Sequence, residues 1–404
     1  MTTTDHLAAL DDDPVVRADA LRMLARVDRL RASGTTDQAP DVLREPAASY
    51  VDPARWADEL AAIHRSVPLP LALSCELAEP GAYKAIDVAG TPVLLTRTAD
   101  GEARAMLNVC RHRGAEVVPA GSGVAPRLVC PYHSWCYALD GALTSVEDEA
   151  TFGGVDRSAL ALLPVPVQER AGLVFVGLTP GRPLDLDAWL GPELGHLLDA
   201  LDLAGCFHHS TRVLDGPNWK VVLDGYLESY HVGTAHQQSV LLSTMSNMAT
   251  FDAFGPHMRN CFAYRTSADA SDGSDASDAP DVAAIRASVA DVYWLFPGLN
   301  ISGAWGAQIA VSLVLPGRTW DVSRTEQHII LRDRPADDTA RQSADVKADR
   351  LREIVLDEDY TLAEGVQRSL GALAGQDVLF GRNEPGVQHF HRTIDCHLAA
   401  AGRQ

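Results

Sequence analysis

The first regular pattern of apolar and polar positions lies near the start of the chain. From residue 13 to residue 32 apolar side chains recur every three or four positions, the spacing of one face of an α-helix. Asp13 stands directly before Pro14, and this pair is typical of a helix start, because the carboxylate caps free amides and proline fits the first turn. The pattern predicts a helix over 13–32, followed by a loop over 33–52.

A second pattern, made of short β-rich runs, extends from about residue 68 to residue 178. Turn-forming pairs such as Pro80-Gly81 and Asp140-Gly141 separate the runs. Short runs divided in this way predict a small antiparallel β domain. The predicted strands are 85–88, 91–98, 105–109, 127–129, 162–168 and 173–178.

A Pro-Gly-Arg-Pro segment at 180–183 marks a domain boundary. The elements predicted beyond it are a helix at 186–203, a strand at 208–214, an element at 218–236, strands at 259–266, 292–302, 308–315 and 324–332, and a long helix at 339–374. Helices and antiparallel strands in one domain predict the α+β class. The predicted domains are an N-terminal helical segment that packs on the last domain (1–50), a β domain (51–180) and an α+β domain (181–404).

Charge excludes two classes of partner. Lys and Arg number 34 and Asp and Glu number 54, so the net charge is −20, which repels nucleic acid and anionic lipid. The longest apolar runs, such as 173–178, are far shorter than the roughly 20 residues of a membrane-spanning helix. We expect a cytoplasmic protein, because the first residues are acidic and lack a signal sequence. The Asp- and Ser-rich segment 267–281 predicts a solvated loop.

Two cysteines and two histidines form the first group with the spacing of a metal site. Cys110 is followed two positions later by His112, and Cys130 three positions later by His133. These ligands suit a tetrahedral zinc ion, or a [2Fe–2S] cluster with two sulfurs on one iron and two nitrogens on the other. The spacing favours the cluster, because each short segment supplies one cysteine and one histidine. The other five cysteines have no partner at a ligand spacing.

The segments around these pairs, CRHRGA and CPYHSW, resemble the Rieske motif of ring-hydroxylating oxygenases. The resemblance implies a Rieske domain in which Cys110 and Cys130 bind one iron of the cluster, and His112 and His133 the other. Ser134 stands where the family more often has glycine, and we expect little effect of this difference.

A second group of candidate ligands, Glu228, His231 and His236, lies in the segment NWKVVLDGYLESYHVGTAH. Two histidines close in sequence suit a two-histidine, one-carboxylate triad, the ligand set of non-haem iron(II) oxygenases. On an ideal helix a gap of five residues rotates the second imidazole by about 140°. We therefore expect the helix to distort or end between the histidines, where Gly233 lies.

This segment resembles the catalytic motif of the same family, and the resemblance implies roles for its acids. Glu228 matches the acid that bridges subunits by accepting hydrogen bonds from a cluster histidine of one protomer and an iron histidine of the next. Asp224 and Gly225 stand where the family often carries Glu-Asn. Asp224 either supports the electron path or caps the local backbone, and Gly225 leaves room near the iron.

The segment DEDYTLAEGVQRSLGAL (357–373) resembles the family's C-terminal helix, where an Asp five residues before a Glu completes the triad. Asp359 has Glu364 at this offset. Asp359 is therefore the predicted third ligand, and Asp357 is the alternative.

The resemblance to Rieske non-haem iron oxygenases implies an architecture and an activity. A helix-grip catalytic domain of the START/Bet v1 type is expected after the Rieske domain, with one [2Fe–2S] cluster and one mononuclear Fe(II) per chain. The chain would be the oxygenase component. It would take electrons from NAD(P)H through a separate reductase or ferredoxin, and use O2 to hydroxylate or demethylate a small organic substrate, aromatic or quaternary amine. The expected assembly is a homotrimer.

Two alternatives remain open on the sequence alone. One is a non-catalytic Rieske electron-transfer protein with a ligand-binding second domain, and the other is a zinc-stabilised binding module. The second ligand group favours the oxygenase. The expected walls of the substrate pocket are Tyr293, Trp294, Phe296 and Trp305.

Overall fold

The computed structural model describes residues 9–265, 281–373 and 375–402, so the predicted loop at 267–281 lies, except for Asp281, outside the described residues. The chain forms two compact units. The larger contains the residues up to Glu59, Leu190–Leu201 and those from Cys206 onward, and the smaller contains Leu60–Trp189 and Asp202–Gly205. Residues 51–59, assigned above to the β domain, thus lie in the larger unit. No helix within the described ranges is long and apolar enough to cross a lipid bilayer.

The elements are numbered in chain order. The helices are α1 (Pro14–Ser33), α2 (Ala48–Val51), α3 (Pro53–Glu59), α4 (Leu186–Leu190), α5 (Pro192–Asp199), α6 (Trp219–Tyr226), α7 (Val232–Ala235), α8 (Val282–Ala287), α9 (Asp338–Ile354), α10 (Thr361–Leu370) and α11 (Pro385–Ala401). The strands are β1 (Leu43–Pro46), β2 (Leu69–Leu73), β3 (Ala82–Val88), β4 (Thr91–Arg97), β5 (Ala103–Leu107), β6 (Gly121–Val124), β7 (Leu128–Val129), β8 (Cys136–Tyr137), β9 (Leu143–Ser145), β10 (Val167–Arg170), β11 (Leu173–Val176), β12 (Phe207–Gly216), β13 (Thr244–Phe254), β14 (His257–Tyr264), β15 (Val289–Leu295), β16 (Leu299–Ser302), β17 (Gln308–Pro316), β18 (Ser323–Leu331) and β19 (Asp377–Phe380).

The smaller unit contains the predicted antiparallel β domain. Its strands form a four-stranded sheet in the order β5-β4-β3-β6 and two three-stranded sheets, β7-β8-β9 and β10-β11-β2. Leu94, Met106 and Tyr137 belong to a buried core that also contains Cys110 and Cys130. The two candidate sulfur ligands therefore rest on a close-packed apolar base.

The larger unit is built on a seven-stranded antiparallel sheet in the order β12-β18-β17-β16-β15-β14-β13. From β13 to β18 each strand pairs with the next one in sequence, and β12 lies at the opposite edge beside β18. Helices and this sheet in one unit confirm the predicted α+β class.

Several strands differ from the prediction: β1, β2, β6, β8, β9, β13 and β19 were not predicted. Three differences have a local reason. The strand predicted at 162–168 begins only at Val167, since Pro164 and Pro166 cannot donate ladder hydrogen bonds. The strand predicted at 292–302 is a hairpin of two strands, β15 and β16. Strand β13 was not predicted, because most of its side chains are half-buried and show no two-residue period.

The long helix predicted at 339–374 is interrupted. Helix α9 ends at Ile354, a π-helical segment spans Val355–Tyr360, and α10 begins at Thr361. A π-helical turn lengthens the backbone hydrogen-bonded ring by one residue without requiring a particular side-chain pattern, so hydrophobic spacing does not reveal it. The interrupted segment carries Asp359.

Helix α1 begins as predicted and is held to the sheet by buried ion pairs. Asp13 accepts hydrogen bonds from two backbone amides at 2.9 and 3.1 Å. The buried carboxylate of Asp19 accepts two hydrogen bonds from Arg259 on β14, at 2.6 and 2.9 Å, and one from Arg286 at 3.0 Å. Burial opposes the charged form of Asp19, but the hydrogen bonds and charges of the two arginines outweigh it and lower the pKa of Asp19 to about 2.

We expect Asp19→Asn to lower the free energy of unfolding at pH 7 by about 2–3 kcal/mol, the value of a pKa displaced from 3.8 to about 2. Because the pKa of Asp19 is lower in the native state than in the unfolded state, its stabilisation is fully present above the unfolded-state pKa. This stabilisation is lost as the pH falls through the native-state pKa. The difference between wild type and variant should therefore shrink from pH 4 towards pH 2. Urea unfolding followed by circular dichroism at pH 7 and pH 3 measures this. Asp28→Asn, an exposed acid of the same helix, is the control, and an equal effect of both variants would contradict the assignment.

Candidate functional site

The first cysteine–histidine pair lies in a tight loop after β5. The amide of Cys110 donates to Ala115 O at 2.8 Å, and the amide of Gly114 donates back to Cys110 O at 2.9 Å. The buried Asn108 side chain links the two ends of this loop, because its Oδ1 accepts hydrogen bonds from the amides of Val117 and Val118, at 3.0 and 3.2 Å. These bonds fix the loop before any ligand binds.

The second pair lies in an equivalent loop between β7 and β8. The amide of Cys130 donates to Trp135 O at 2.9 Å, and the amide of Ser134 donates to Cys130 O at 3.0 Å. Ser134 has φ of 57°, a left-handed conformation that glycine adopts without strain and other residues at a cost of about 1–2 kcal/mol. The serine therefore makes this loop slightly strained, although it leaves the turn intact.

The two loops place the two candidate histidines next to each other and the two candidate cysteines next to each other. The imidazole rings of His112 and His133 lie 4.6 Å apart between centroids, and the ring of Trp135 stacks on His112 at 5.0 Å. Both thiols are buried and reduced, and burial together with its neighbour Cys110 raises the pKa of Cys130. His112 Nδ1 is buried without a hydrogen-bond partner among the described residues. A buried nitrogen without a hydrogen-bond partner is costly, and a metal ion bound at this atom would remove the cost.

The second ligand group follows helix α6. The residues Asn218, Trp219 and Lys220 at the start of α6 hold this helix in place. Asn218 caps the helix by accepting from the amide of Lys220 at 2.8 Å, and Trp219 is fully buried. The buried ammonium of Lys220 donates to both carboxylate oxygens of Glu59, at 2.5 and 2.7 Å. Removal of one partner from such a pair typically costs about 3–5 kcal/mol, so α6 is held firmly against the end of α3.

Helix α6 ends at Tyr226, and the histidines flank a separate one-turn helix, α7. His231 precedes its first residue and His236 follows its last. The helix thus ends before His236, as expected, but it also breaks before His231, which was not expected. A Cβ atom on Gly233 would lie 2.8 Å from Ser246 Oγ, which accepts a hydrogen bond from the Gly233 amide at 2.9 Å. A larger residue at position 233 would therefore force the Ser246 side chain on β13 to move and would disturb this hydrogen bond.

Three predicted iron ligands converge at one point. His231 Nε2 and His236 Nε2 lie 3.1 Å apart, and Asp359 Oδ1 lies 3.0 Å from His236 Nε2 and 3.6 Å from His231 Nε2. Ligand atoms about 2.1 Å from one ion at right angles are roughly 3 Å apart. The geometry therefore suits a two-histidine, one-carboxylate site. Asp357, the alternative ligand, is exposed and does not join this group.

Carboxylates hold the far nitrogen of each histidine. His231 Nδ1 donates to Glu228 Oε1, and His236 Nδ1 donates to Glu358 Oε2 at 2.5 Å. Burial lowers the pKa of His236, but Asp359 and Glu358 outweigh it, and the net shift is upward. This negative surrounding favours a bound cation. The sequence did not identify Glu358 as a site residue. Its position next to Asp359 was the one signal that could have suggested it.

Asp224 caps no backbone group among the described contacts. Its carboxylate accepts a hydrogen bond from the Tyr50 hydroxyl at 2.6 Å and contacts His391 Nε2 at 2.8 Å. Tyr50 and His391 were not predicted as site residues. A Cβ atom on Gly225 would meet no atom within 4 Å, so the room expected there is present.

A cavity of about 260 Å³ reaches His231 and Asp359. Besides Asp359, its wall carries three further carboxylates, those of Asp224, Glu228 and Glu384, among mostly apolar side chains. Burial, followed by the charges of Glu228 and Asp224, raises the pKa of Glu384. The four residues expected to form pocket walls are instead buried in the core and do not line this cavity: Tyr293, Trp294, Phe296 and Trp305.

Comparison with known families assigns both domains of the chain. A family model described as the Rieske [2Fe-2S] domain matches residues 67–164, and one described as the ring hydroxylating alpha subunit (catalytic domain) matches residues 203–400. The chain belongs to the Rieske non-haem iron oxygenase family. Its two domains bind a [2Fe–2S] cluster and a mononuclear non-haem iron, and the residues described above fit both groups.

Relatives of known name are oxygenase subunits. The carnitine monooxygenase oxygenase subunit of Escherichia coli K12 is 28% identical over 378 residues, which are 86% of this chain and 92% of that one. The glycine betaine monooxygenase oxygenase subunit of Chromohalobacter salexigens is 31% identical over 233 residues, which are 54% of this chain and 50% of that one. The chain thus spans about half the length of the glycine betaine relatives it matches.

Solved structures share the fold. The quaternary ammonium Rieske monooxygenase CntA in complex with L-carnitine superposes with a TM-score of 0.74 at 23% identity, covering 90% of this chain and 97% of that one. Naphthalene 1,2-dioxygenase with bound indole gives a TM-score of 0.64 at 18% identity, covering 88% and 92%.

We expect His112→Ala and Cys130→Ser each to abolish the visible absorption of the Rieske cluster, because each removes one of four ligands. Absorption spectra of the purified variants measure this. Cys396→Ser, which changes an exposed cysteine, should keep the spectrum. A normal cluster in either ligand variant would refute the ligand assignment.

Substitution of His231, His236 or Asp359 by Ala should leave the cluster spectrum intact and remove one iron of three per chain, because the converging ligand set is broken. Iron analysis beside the spectrum gives both readings. Asp357→Ala is the matched control and should retain all three irons. The reverse result for Asp357 and Asp359 would show that the third ligand is misplaced by two residues.

Proposed function

We propose that this chain is the oxygenase component of a Rieske non-haem iron system. It takes electrons that originate from NAD(P)H through a separate reductase or ferredoxin, and it uses O2 to hydroxylate or oxidatively demethylate a small organic substrate. The convergence of His231, His236 and Asp359 supports this function, because a protein that only transfers electrons does not require a mononuclear iron site. When bound, the cluster supplies single electrons and the mononuclear iron supplies the activation of O2.

The residues of this chain supply position and proton control. Because Glu228 and Glu358 each accept the Nδ1 proton of a histidine, both imidazoles keep their Nε2 lone pairs turned towards the shared point. Asp359 adds one negative charge to that point. These three side chains would hold the ion, and a set of only three protein ligands would leave positions for O2 and substrate.

A quaternary amine is the substrate class that we propose first. The named relatives act on carnitine and glycine betaine, and a further relative, 33% identical over 204 residues, is the choline monooxygenase of Beta vulgaris. The carboxylates near the iron site and the net charge of −20 favour a cation over an anion. An aromatic substrate is the second candidate, since naphthalene dioxygenase shares the fold.

A substrate panel tests this proposal. The iron-loaded protein is supplied with NADH and a Rieske-type reductase, and product is measured against NADH consumed for carnitine, glycine betaine, choline and naphthalene. We expect coupled product from at least one quaternary amine. Coupled turnover of naphthalene alone would move the substrate to the aromatic class. Two irons per chain and no product from any compound would establish the electron carrier instead.

We propose further that the protein acts as a homotrimer in which Glu228 connects two protomers. The surface beside the cavity exposes large apolar side chains, with Tyr230 at 62%, Leu362 at 55% and Val366 at 49% exposure. A cluster of exposed apolar residues around a functional cavity is typical of a protein interface. In this arrangement Asp224, held by Tyr50, supports the electron path near Glu228.

The bridging role predicts a distinctive variant. Glu228→Gln should retain all three irons and accept electrons at the cluster, but reoxidation of the cluster by O2 with substrate present should slow by orders of magnitude, because the charged acceptor between two imidazoles is lost. Stopped-flow absorbance of the prereduced protein follows this step. Glu364→Gln, an exposed acid on α10, should reoxidise normally. Loss of iron in Glu228→Gln would make Glu228 a ligand, and a wild-type rate would make it a bystander.

A further inference from the structure

Glu358 and Asp359 are consecutive residues that contact opposite nitrogens of one imidazole. Asp359 Oδ1 lies 3.0 Å from His236 Nε2, and Glu358 Oε2 lies 2.5 Å from His236 Nδ1. The ring is 3% exposed, so neither contact is a chance encounter of mobile surface groups. We propose that Glu358 is a positioning residue of the mononuclear site, which sets the orientation and basicity of His236. The proposal rests on the proposed iron site.

The π-helical segment makes this double contact possible. In a regular α-helix neighbouring side chains point about 100° apart, and residues i and i+1 do not face a common partner. Val355–Tyr360 departs from the regular helix, and both carboxylates reach His236 from there. Such segments occur frequently at functional sites.

Ser239 completes the arrangement from the side of the histidine. Its hydroxyl donates to Glu358 Oε2, the oxygen that His236 Nδ1 contacts, while its amide donates to His236 O at 3.1 Å. The Glu358 side chain is 22% exposed and thus partly desolvated. Two donors from the histidine segment, the His236 ring and the Ser239 hydroxyl, thus converge on one oxygen of Glu358.

The two histidines differ in what holds them. Glu228 holds His231 from the same turn of chain and is the residue that we assign to the contact between protomers. Glu358 comes from a distant segment and is engaged within the chain by His236 and Ser239. Removal of a carboxylate behind a metal-bound histidine typically costs 10–100-fold in metal affinity.

Metal binding, measured apart from turnover, tests the proposal. Cluster-loaded protein is freed of mononuclear iron with a chelator and titrated anaerobically with Fe(II) against a competing chelator. The paramagnetic resonance spectrum of the nitric oxide adduct of the bound Fe(II) serves as the signature of site geometry. We expect a Kd raised about 10–100-fold in Glu358→Ala with an altered spectrum, and a smaller rise in Glu358→Gln, which keeps an acceptor but loses the charge.

Controls separate positioning from folding. Glu353→Gln, an exposed acid on α9, should bind Fe(II) as the wild type does. Ser239→Ala should weaken binding in the same direction as Glu358→Gln, but less. If Glu358→Ala fails to fold, Glu358→Gln decides the question alone. Wild-type affinity with an unchanged spectrum in the folded Glu358 variants would overturn the proposal, whereas undiminished Fe(II) binding in His236→Ala would overturn the iron site itself.

Discussion

Three ligand atoms from two distant segments must meet within about 3 Å, and the local irregularities of the larger unit serve this constraint. A continuous helix through His231 and His236 would turn their rings apart, and the one-turn helix α7 between two breaks brings them together instead. In a continuous α-helix the side chain of Asp359 would point in another direction. The π-helical segment Val355–Tyr360 changes that direction. Each irregularity interrupts regular hydrogen bonding, and each lies in or beside a segment that carries a candidate ligand.

Such a geometry needs a rigid base, and buried charges provide it. Lys220 is tied to Glu59 at the start of α6, whose last turn leads into the histidine segment. Asp19 of α1 is tied in the same way to Arg259 of the central sheet. Buried ion pairs add little net stability compared with apolar packing, but they allow few alternative arrangements. Here these ion pairs fix the positions of α6 and α1 in the larger unit.

The sequence predicts this site well where its chemistry is local and poorly where it depends on backbone geometry. Cys110 with His112, and His231 with His236, are close enough in sequence for their spacing to be informative. The third ligand required the family resemblance, because nothing local distinguishes Asp359 from Asp357. Glu358 was missed, because in a regular α-helix its side chain would point away from His236, the residue that Asp359 contacts.

The same limit applies to the fold. The apolar periods predict α1 and most strands, whose faces are clearly divided between core and solvent. They miss β13, whose side chains are mostly half-buried on both faces. The expectation of pocket walls rested on aromatic residues instead, and Tyr293 and Trp305 pack against Arg259 and Arg286 in the core. Aromatic content alone does not distinguish a pocket from a core that contains cations.

The roles proposed for the two carboxylates behind the histidines differ: Glu358 acts in metal retention and Glu228 in electron transfer. The His236 side of the site is complete within one chain, since Glu358 accepts from His236 and Ser239. The His231 side ends in Glu228, whose oxygens accept from His231 and nearby amides and still have unshared lone pairs for another donor. A neighbouring protomer can therefore engage Glu228 without disturbing the opposite half of the ligand set. In the proposed homotrimer, retention of the iron would depend on a single chain, whereas the electron path would require two protomers.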